Sequence, residues 1–455
     1  MGRGFSHGSR RAALVAAAAA TLLSAACTAQ TPGGQASPSS SPVASSSPSG
    51  PTPLTLAVYG DAQTVATFVR MADVWTDAHP DVPVTVTHTA DAASAARRLA
   101  QQFDAGDAPD LFLTDHDDLA GLVQAGRVQP VDQLLEQRGV LFGDAYQRLG
   151  LEAFSADSAL QCMPHDVSPL VTFYNADLLK PRTLKTADRP APTPETGWTW
   201  EQYALAARRL SQHGVRGAYI APDLEQLLPL VRSAGADLVD DPRTPTTLTS
   251  SDDKARQALT QVLAVARDRS VVPTPQQLAT HSAVDLFEAG KLAMIFGTRR
   301  LVPKLREVQG LHFDVLPLPT LAKPRTVATM DGYCINAHTP HLQQAADFLT
   351  FASGAEGAKL TAGFGGVVPA NIEALHSDAF TDPGADPSHT VVFADALRHA
   401  DALPFVPGWP QVVADTDPLV ARIFTDTRPN LTALTVAIDA RSQQVLTPPS
   451  ASPSP

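Results

Sequence analysis

Short apolar runs alternate with amphipathic segments along the chain from residue 54 onward. The apolar run 54–59 is typical of a buried strand, and apolar residues between Val65 and Trp75 recur at helical spacing. The same strand-then-helix order returns over 81–103 and over 110–125. This alternation predicts an α/β fold with a largely parallel sheet, in which ligands bind beyond the carboxyl ends of the strands.

Later segments continue the mixture of helices and strands. Thr199 and Gln202 have the spacing of a helix capping box, so Trp200, just inside that helix, is expected to be structural. Helical spacing and extended apolar runs predict helices over 202–211, 224–234, 253–268 and 342–352, a turn feeding a buried strand over 290–297, and an extended run over 313–319.

The first 26 residues have the order of an export signal. A basic start with three arginines precedes the apolar run 12–23, which is shorter than the ~20 residues of a membrane-spanning helix. The segment 22–27 resembles the lipobox of bacterial lipoproteins, in which the final cysteine is acylated. The resemblance implies an exported protein that is lipid-anchored through Cys27 at the outer face of the cell membrane. Two alternatives stay open: an incidental thiol at Cys27, and twin-arginine instead of general secretory export.

Two segments contain too few apolar residues to fold. Residues 27–53 and 446–455 consist mainly of Ser, Pro, Gly, Ala, Thr and Gln. Such composition cannot bury enough apolar surface to offset the entropy of ordering the chain. We expect a disordered tether between the lipid anchor and the globular body, and a disordered tail after it.

The charge of the chain restricts its partners. Removal of the signal, which holds three arginines and no acidic residue, changes the formal net charge from −12 to −15. The acidic excess is spread along the sequence, which argues against nucleic acid and against adhesion to anionic headgroups as binding modes. With 44% hydrophobic residues, the chain can bury the cores of two domains.

Nine short segments carry a resemblance to a known family. They are 54–61, 109–113, 124–130, 164–178, 198–201, 290–294, 332–335, 345–349 and 367–370. In this order they resemble the extracellular solute-binding proteins of ABC importers, in particular the carbohydrate-binding, maltose-type branch. The resemblance implies a protein that captures a sugar or sugar-like solute and delivers it to the permease subunits of an ABC transporter. It also implies a monomer without a cofactor.

The same resemblance implies a two-lobed fold whose lobes close on the ligand. The chain would cross between the lobes near 164–168 and near 329–335. The N-terminal lobe would take 54–164 and 335–385, and the C-terminal lobe 168–330 and 388–445.

Other functions are alternatives to sugar transport. They are a binding module for an acidic or phosphorylated solute, a module that serves a sensor system, and a secreted lipoprotein hydrolase. The hydrolase is the weaker hypothesis because the sequence holds no G-x-S-x-G elbow and no P-loop. No metal site is expected either, since consecutive acidic residues around His116 cannot easily face one ion. We therefore expect a protein that is not an enzyme.

Sugar sites pair carboxylates with aromatic rings, which directs attention to four residues. Asp61 and Asp117 each follow a predicted strand, and both are candidates to bind ligand hydroxyl groups; the rival role for each is a helix N-cap. Tyr333, beside the second crossing, is a candidate stacking platform, with hinge packing as the rival. Trp409, flanked by prolines in 407–410, is expected in a loop that lines the cleft.

Arg299 departs from the sugar-binding pattern. The resembled proteins carry an aromatic residue at this position, and a guanidinium favours an acidic or phosphorylated ligand instead. The rival role is a solvated ion pair. Cys162 and Cys334 are the pair left once Cys27 is acylated. In the resembled fold they lie on neighbouring strands, which implies a disulfide; two separate buried thiols are the alternative.

Overall fold

Strands and helices alternate through the first half of the body, as the hydrophobic pattern predicts. The computed structural model describes residues 50–186, 189–242 and 244–447. The strands are β1 Leu54–Tyr59, β2 Val84–Thr89, β3 Leu111–Asp115, β4 Val128–Gln129, β5 Ser155–Ala156, β6 Ala159–Leu160, β7 Met163–Pro169, β8 Val171–Asn175, β9 Met294–Gly297, β10 Phe313–Leu316, β11 Thr326–Asn336 and β12 Ala400–Asp401.

The helices fall between and after these strands. They are α1 Ala62–Ala78, α2 Ala92–Ala105, α3 His116–Gln124, α4 Asp132–Glu136, α5 Phe142–Ala145, α6 Arg148–Ala153, α7 Trp200–Leu210, α8 Leu224–Ser233, α9 Asp253–Ala266, α10 Pro275–Thr280, α11 Ala283–Glu288, α12 Val302–Arg306, α13 Leu342–Ser353, α14 Ala355–Ala362, α15 Ile372–Leu375, α16 Asp378–Thr381, α17 Val391–Ala396, α18 Trp409–Thr425 and α19 Leu431–Leu446.

The larger sheet has the order β12-β11-β3-β1-β2, and β4 and β7 also pair with β11. Strand β1 runs parallel to β2 and β3, whereas β11 runs antiparallel to β3, β4 and β7. Strands β11 and β12 are also parallel. The prediction of a largely parallel sheet is therefore right for the first three strands and for this pair, and wrong for the three pairings of β11 with β3, β4 and β7. Strand β11 belongs to no local strand–helix repeat, so the alternation along the chain carries no information about its direction.

The smaller sheet, β10-β8-β9, is antiparallel and buried on both faces. Alternate residues of β8 enter different hydrophobic cores, because successive side chains of a strand point to opposite faces. Val171 and Phe173 join the first core, which also holds β1 and α1, whereas Tyr174 joins the second core with α7 to α9 and α18.

The first core does not end at the predicted lobe boundary. It takes in Phe313 and Val315 from β10 and Phe393 from α17, all of which the lobe assignment placed in the C-terminal lobe. The described residues from Gly50 onward belong to one compact unit. The two-lobe boundaries therefore stay a prediction, with the smaller sheet lying between the two cores.

Several local predictions are confirmed. The capping box of Thr199 and Gln202 is present, with both reciprocal hydrogen bonds, and Trp200 is buried in the second core. The helix predicted over 253–268 is α9. The strand predicted from residue 81 begins only at Val84.

The cysteine pair is joined by a disulfide in the structure. Cys162 directly precedes β7, and Cys334 lies on the neighbouring β11; their Cα atoms are 4.5 Å apart and both residues are fully buried. Cys27 with the export signal and nearly all of the tether, and the tail beyond Thr447, lie outside the described residues. Within the ranges that are described, no helix is both long and apolar enough to cross a membrane.

Candidate functional site

Three aspartates stand side by side across three neighbouring strands of the larger sheet. Asp331 of β11 is in register with Asp115 of β3 on one side and with Asp166 of β7 on the other. Directly opposed residues of antiparallel strands bring their Cβ atoms to about 5 Å, so like charges there repel each other. We call Asp115, Asp331 and Asp166 the carboxylate row.

Arg300 is the cation that faces this row. Its Nη2 atom lies 2.6 Å from Oδ2 of Asp331 and 3.4 Å from Oδ2 of Asp166. Arg300 directly follows Arg299 in the short 3₁₀ turn Arg299–Leu301 after β9, so the smaller sheet delivers it to the larger one. Its side chain keeps 37% of its surface exposed, whereas both carboxylate partners are buried.

Hydrogen bonds fix the two ends of the row. Oδ1 of Asp166 accepts from Oγ of Ser168 and from the backbone N–H of Val368, both at 2.7 Å. Oδ1 of Asp115 accepts from the backbone N–H of Asp117 at 3.0 Å, which makes Asp115 the N-cap of α3. The hydroxyl of Tyr59, at the end of β1, donates to Asp331.

Burial and neighbouring charges raise the pKa values of Asp115 and Asp166. Burial raises the pKa of Asp166 to about 6, against the opposing effect of Arg300. Burial, then the charges of Asp331 and Asp117, raise the pKa of Asp115 well above its usual range. These two carboxyl groups hold their protons more tightly than free aspartate does, because burial disfavours the charged form.

A cavity of about 270 Å³ opens beside the row, and we call it the Asp331 cavity. Its volume lies near the lower end of the range of small-molecule sites, roughly 300–1,000 Å³. Its lining includes Tyr59, Asp61, Phe68, His165, Arg300, Asp331, Phe364 and Gly366. Carboxylates, a guanidinium, an imidazole and aromatic rings thus meet around one small space.

Two glycines shape the edge of the Asp331 cavity. Gly60, between β1 and α1, has φ of +139°, a conformation that side chains disfavour, and it places Asp61 at the start of α1. A Cβ on Gly366 would lie 2.5 Å from the ring of Phe364, so only glycine lets that ring lie against the backbone. The half-buried Phe364 ring therefore forms an apolar platform on one side of the cavity.

His165 is an unsatisfied polar group at the Asp331 cavity. The residue is 6% exposed, and its Nε2 atom has no hydrogen-bond partner among the described residues. The ring packs 4.8 Å from Tyr333 and 5.4 Å from Phe68, measured between centroids. Burial lowers the pKa of His165 to about 4, so the imidazole is neutral near pH 7.

Acidic residues from the second core approach Asp117. Glu225, in the first turn of α8, has its pKa raised to about 7 by burial and by the charges of Asp223 and Asp117. Asp223 is the N-cap of α8. The backbone N–H of Leu224 donates to Asp417 of α18 at 2.9 Å. Elements of both cores thus contribute carboxylates to the same region.

A second cavity, of about 420 Å³, lies along α3, α6 and β12. Arg232 and Asp401 form an ion pair in its wall, with Nε and Oδ2 2.8 Å apart. His116 also lines it; the residue is 3% exposed, and its Nε2 atom lacks a partner within the described part of the chain. Phe405 packs 5.8 Å from His116 between ring centroids.

Asp61 and Asp117 both remain candidates for ligand contact. Asp61 is the N-cap of α1, accepting from Thr64 N–H at 2.8 Å, yet its exposed side chain also lines the Asp331 cavity. Asp117 is not the N-cap of α3, because Asp115 takes that role. The Asp117 side chain keeps 27% of its surface exposed.

The assignment of Arg299 to ligand binding needs correction. Arg299 is fully buried, and its guanidinium lies 4.1 Å from the ring centroid of Phe380 and 5.3 Å from that of Phe393. Its Nη2 donates to the carbonyl of Phe380 at 2.6 Å. Arg299 is therefore neither a surface residue nor part of the cavity, and the argument for an acidic ligand that rested on it falls away.

Tyr333 and Trp409 also need correction. Tyr333 is 1% exposed and packs edge-on against Phe68, so its ring is a core residue beneath the cavity. Trp409 is fully buried at the first position of α18, within the second core, and is not in an exposed loop. The flanking prolines thus mark a helix start, where proline is well tolerated.

The residues that the sequence reasoning missed had one signal in common. His165, Asp166 and Asp331 are ionisable residues inside two buried strands at the predicted crossings. An ionisable residue in a buried strand costs free energy unless it is paired, so it marks a site or a network. Arg300 carried no such signal, because only the tertiary fold brings it to the row.

Comparisons with known proteins agree with this architecture. The model of the family described as bacterial extracellular solute-binding protein matches residues 70–387. An uncharacterized lipoprotein in the oleD 5′ region of Streptomyces antibioticus is 24% identical over 296 residues, which are 63% of each chain. This match thus spans about two thirds, and not all, of that relative.

Solved structures of similar fold cover most of the described chain. An ABC substrate-binding protein from Listeria monocytogenes in complex with cycloalternan has a TM-score of 0.76 at 20% identity, covering 87% of this chain and 98% of that one. The GacH receptor of Streptomyces glaucescens, solved unliganded and with acarbose, has a TM-score of 0.72 at 17% identity, covering 86% and 98%. A Thermus thermophilus maltotriose-binding protein has a TM-score of 0.68 at 18% identity, covering 86% and 99%. These values establish a shared two-lobed fold.

Proposed function

The chain belongs to the bacterial extracellular solute-binding proteins, and we propose that it captures a sugar or sugar-like solute in the Asp331 cavity for an ABC importer. The observation that carries this proposal is the meeting of hydrogen-bonding groups and aromatic rings in a single cavity of about 270 Å³. Sugars present hydroxyl groups and apolar CH faces together, and such a lining suits both.

Each group of the cavity has a role in this proposal. Asp331 and Asp61 accept hydrogen bonds from ligand hydroxyl groups. Arg300 donates from the face that its ion pairs leave exposed, and neutral His165 adds a donor or an acceptor at the cavity wall. The ring of Phe364 stacks on an apolar CH face of the sugar.

The comparisons support the class of ligand. Similar structures are described with cycloalternan, with acarbose and with maltotriose. All three are carbohydrates or carbohydrate-like compounds, although their identities to this chain are only 17–20%. We extend that class to this protein, and we extend export with a lipid anchor at Cys27 from the relative described as a lipoprotein.

Delivery to permease subunits follows from the same family membership. The protein would work as a monomer in binding and would need no cofactor, because capture and release of a solute require no chemical step. A lipid anchor would keep it near the membrane that holds the permease.

The test is a thermal-shift screen of the purified chain against maltotriose, cycloalternan and other neutral sugars. A ligand at 100 times its Kd adds ~2.7 kcal/mol to the free energy of unfolding. Phe364→Ala should weaken the binding of any hit by about 1–3 kcal/mol. Phe142→Ala serves as the control, because Phe142 is also half-buried but lies on α5, outside both cavities.

Two results would contradict the proposal. One is the absence of any stabilisation across sugars, polyols and oligosaccharides. The other is a sugar whose affinity is reduced equally by Phe364→Ala and by Phe142→Ala, since the site would then lie elsewhere.

A further inference from the structure

We propose that the solute held in the Asp331 cavity is a polyhydroxylated compound that carries a protonated amine. The inference rests on the proposed function, because it names the charge of the solute at that same site. It is argued from the balance of charges around the cavity and, separately, from an unsatisfied histidine in the cavity wall.

Negative groups outnumber positive ones at this site. Of the described residues that line the cavity, Arg300 is the only arginine or lysine. Its guanidinium already contacts Asp331 at 2.6 Å and Asp166 at 3.4 Å. One positive charge therefore faces two carboxylates before any solute enters. The acidic residues that line the cavity are Asp61, Asp91 and Asp331, and Asp115 and Asp166 flank Asp331 in the carboxylate row.

This balance selects the charge of the solute. A carboxylate or phosphate on the solute would meet a guanidinium whose charge is already compensated, and it would be repelled by the surrounding aspartates. An ammonium group would instead relieve repulsion among groups that cannot all ionise in the absence of a second cation. The geometry thus disfavours the acidic solute that a free arginine would have suggested.

Asp61 and Asp331 offer a place for that ammonium group. Both line the Asp331 cavity, Asp61 from the start of α1 and Asp331 from β11. A cation between them would be attracted by both carboxylates.

His165 is a second and independent indication of a ligand. It is 6% exposed, it lines the Asp331 cavity, and its Nε2 atom has no hydrogen-bond partner within the described ranges. A buried polar atom without a partner costs free energy until a ligand or a water satisfies it. Hydroxyl and amine groups on the solute can satisfy either tautomer of this neutral ring.

The experiment compares three sugars that differ at one carbon. They are 6-amino-6-deoxy-D-glucose, D-glucose and D-glucuronate, which carry an ammonium, a hydroxyl and a carboxylate group; D-glucosamine tests a second position of the amine. Calorimetry with the purified full chain at pH ~7 should give an affinity for an amino sugar roughly tenfold above that for D-glucose. D-glucuronate should bind more weakly than D-glucose. The preference should shrink as salt screens the charges.

Matched variants locate the preference. Asp61→Asn should reduce the ratio of amino-sugar to D-glucose affinity several-fold. Asp252→Asn should leave it unchanged, since Asp252 is likewise an exposed helix N-cap, of α9, but lies outside the cavity. A ratio that falls equally in both variants would overturn the assignment.

Failure of this inference can be told apart from failure of the proposed function. If D-glucose or maltotriose binds as tightly as the amino sugars, or if D-glucuronate binds best, the inference is wrong and the sugar-binding function stands. If neither the amino sugars nor any neutral sugar binds, both are wrong.

Discussion

Asp331 and Asp166 lie opposite each other on antiparallel strands β11 and β7, and a single guanidinium, that of Arg300, contacts both. The Asp166 side chain is fully buried and that of Asp331 is 8% exposed, so water cannot replace this cation. The pair joins the larger sheet to the turn after β9. The packing of the two sheets and the proposed solute site therefore share Arg300 and Asp331.

Replacing Arg300 by Gln should leave two buried carboxylates without their cation. We expect the free energy of unfolding to fall by about 1–3 kcal/mol near pH 7, because one partner of a buried pair is then uncompensated. The loss should be smaller at pH ~5 than at pH ~8, since the pKa of Asp166 is about 6 and the protonated form needs no cation. Urea unfolding at both pH values measures the loss.

Arg148→Gln is the control for this prediction. Arg148 pairs with Glu152 on the surface of α6, and both side chains are largely exposed. Its loss should leave the free energy of unfolding essentially unchanged at either pH, because water screens exposed pairs. Equal effects of the two substitutions would show that the carboxylate row does not depend on Arg300.

Glu225 should make the protein less stable as pH rises. The pKa of Glu225 in the folded chain is about 7, against an ordinary value of 4.5. Burial raises it most, followed by the charges of Asp223 and Asp117 and, more weakly, that of Asp417, whereas Arg300 lowers it. Between pH 4.5 and about 7, the folded chain holds a proton on Glu225 that the unfolded chain has released. Stability from this group is thus present at low pH and is lost as pH approaches 7.

Glu225→Gln should remove that dependence and raise the free energy of unfolding at pH ~8 by up to about 3 kcal/mol. Glu201→Gln, at the equivalent position of α7, should change neither the slope nor the stability. Chemical denaturation between pH ~5 and ~8 gives the comparison. Identical slopes for Glu225→Gln and the parent chain would contradict the assignment.

Arg299→Ala should destabilise the fold without changing solute affinity. The substitution removes the stacking on Phe380 and Phe393 and leaves a cavity, at a cost of about 2–4 kcal/mol. Arg182→Ala, at an exposed arginine, should leave the Tm unchanged. If the Arg299→Ala variant keeps the parent Tm but binds the solute more weakly, Arg299 contributes to binding and the prediction is wrong.

The bond between Cys162 and Cys334 should stabilise the folded chain strongly. It closes a loop with a sequence separation of 172 residues, for which chain entropy gives at most roughly 5 kcal/mol. Intact mass after denaturation with iodoacetamide, without reductant, should show no label on these two residues in the Cys27→Ser protein. Two added carbamidomethyl groups would mean that both thiols are free.

Cys27→Ser should release the protein from the membrane fraction of the producing cells. The expected cause is the loss of the acylation site after the apolar run 12–23. Thr28→Ser, at the next position, should leave the protein membrane-bound. Retention of Cys27→Ser after a carbonate wash would exclude the lipid anchor as the attachment.

Local features of the fold could be read from the sequence. The alternation of strand and helix from β1 to α3, the capping box of Thr199 and helix α9 all follow from short-range periodicity and capping chemistry, which neighbouring residues determine. Asp61 could be named for the same reason, because a strand end followed by a helix start places it at the edge of the sheet.

The residues that meet at the site could not be predicted from local sequence patterns. Asp115, Asp166 and Asp331 are brought together by the register of three strands from distant parts of the chain, and Arg300 reaches them from the other sheet. Whether a side chain faces a cavity or a core depends on this packing.

Two neighbouring arginines show that the tertiary structure decides whether a side chain reaches the site. Arg299 and Arg300 are chemically identical, yet the first is buried between phenylalanine rings and the second faces the carboxylate row. Both arginines lie in the turn that follows β9. The side chains of β9 alternate between the two hydrophobic cores. The sequence by itself determined the elements and the family resemblance, and long-range packing determined which of the two arginines reaches the site.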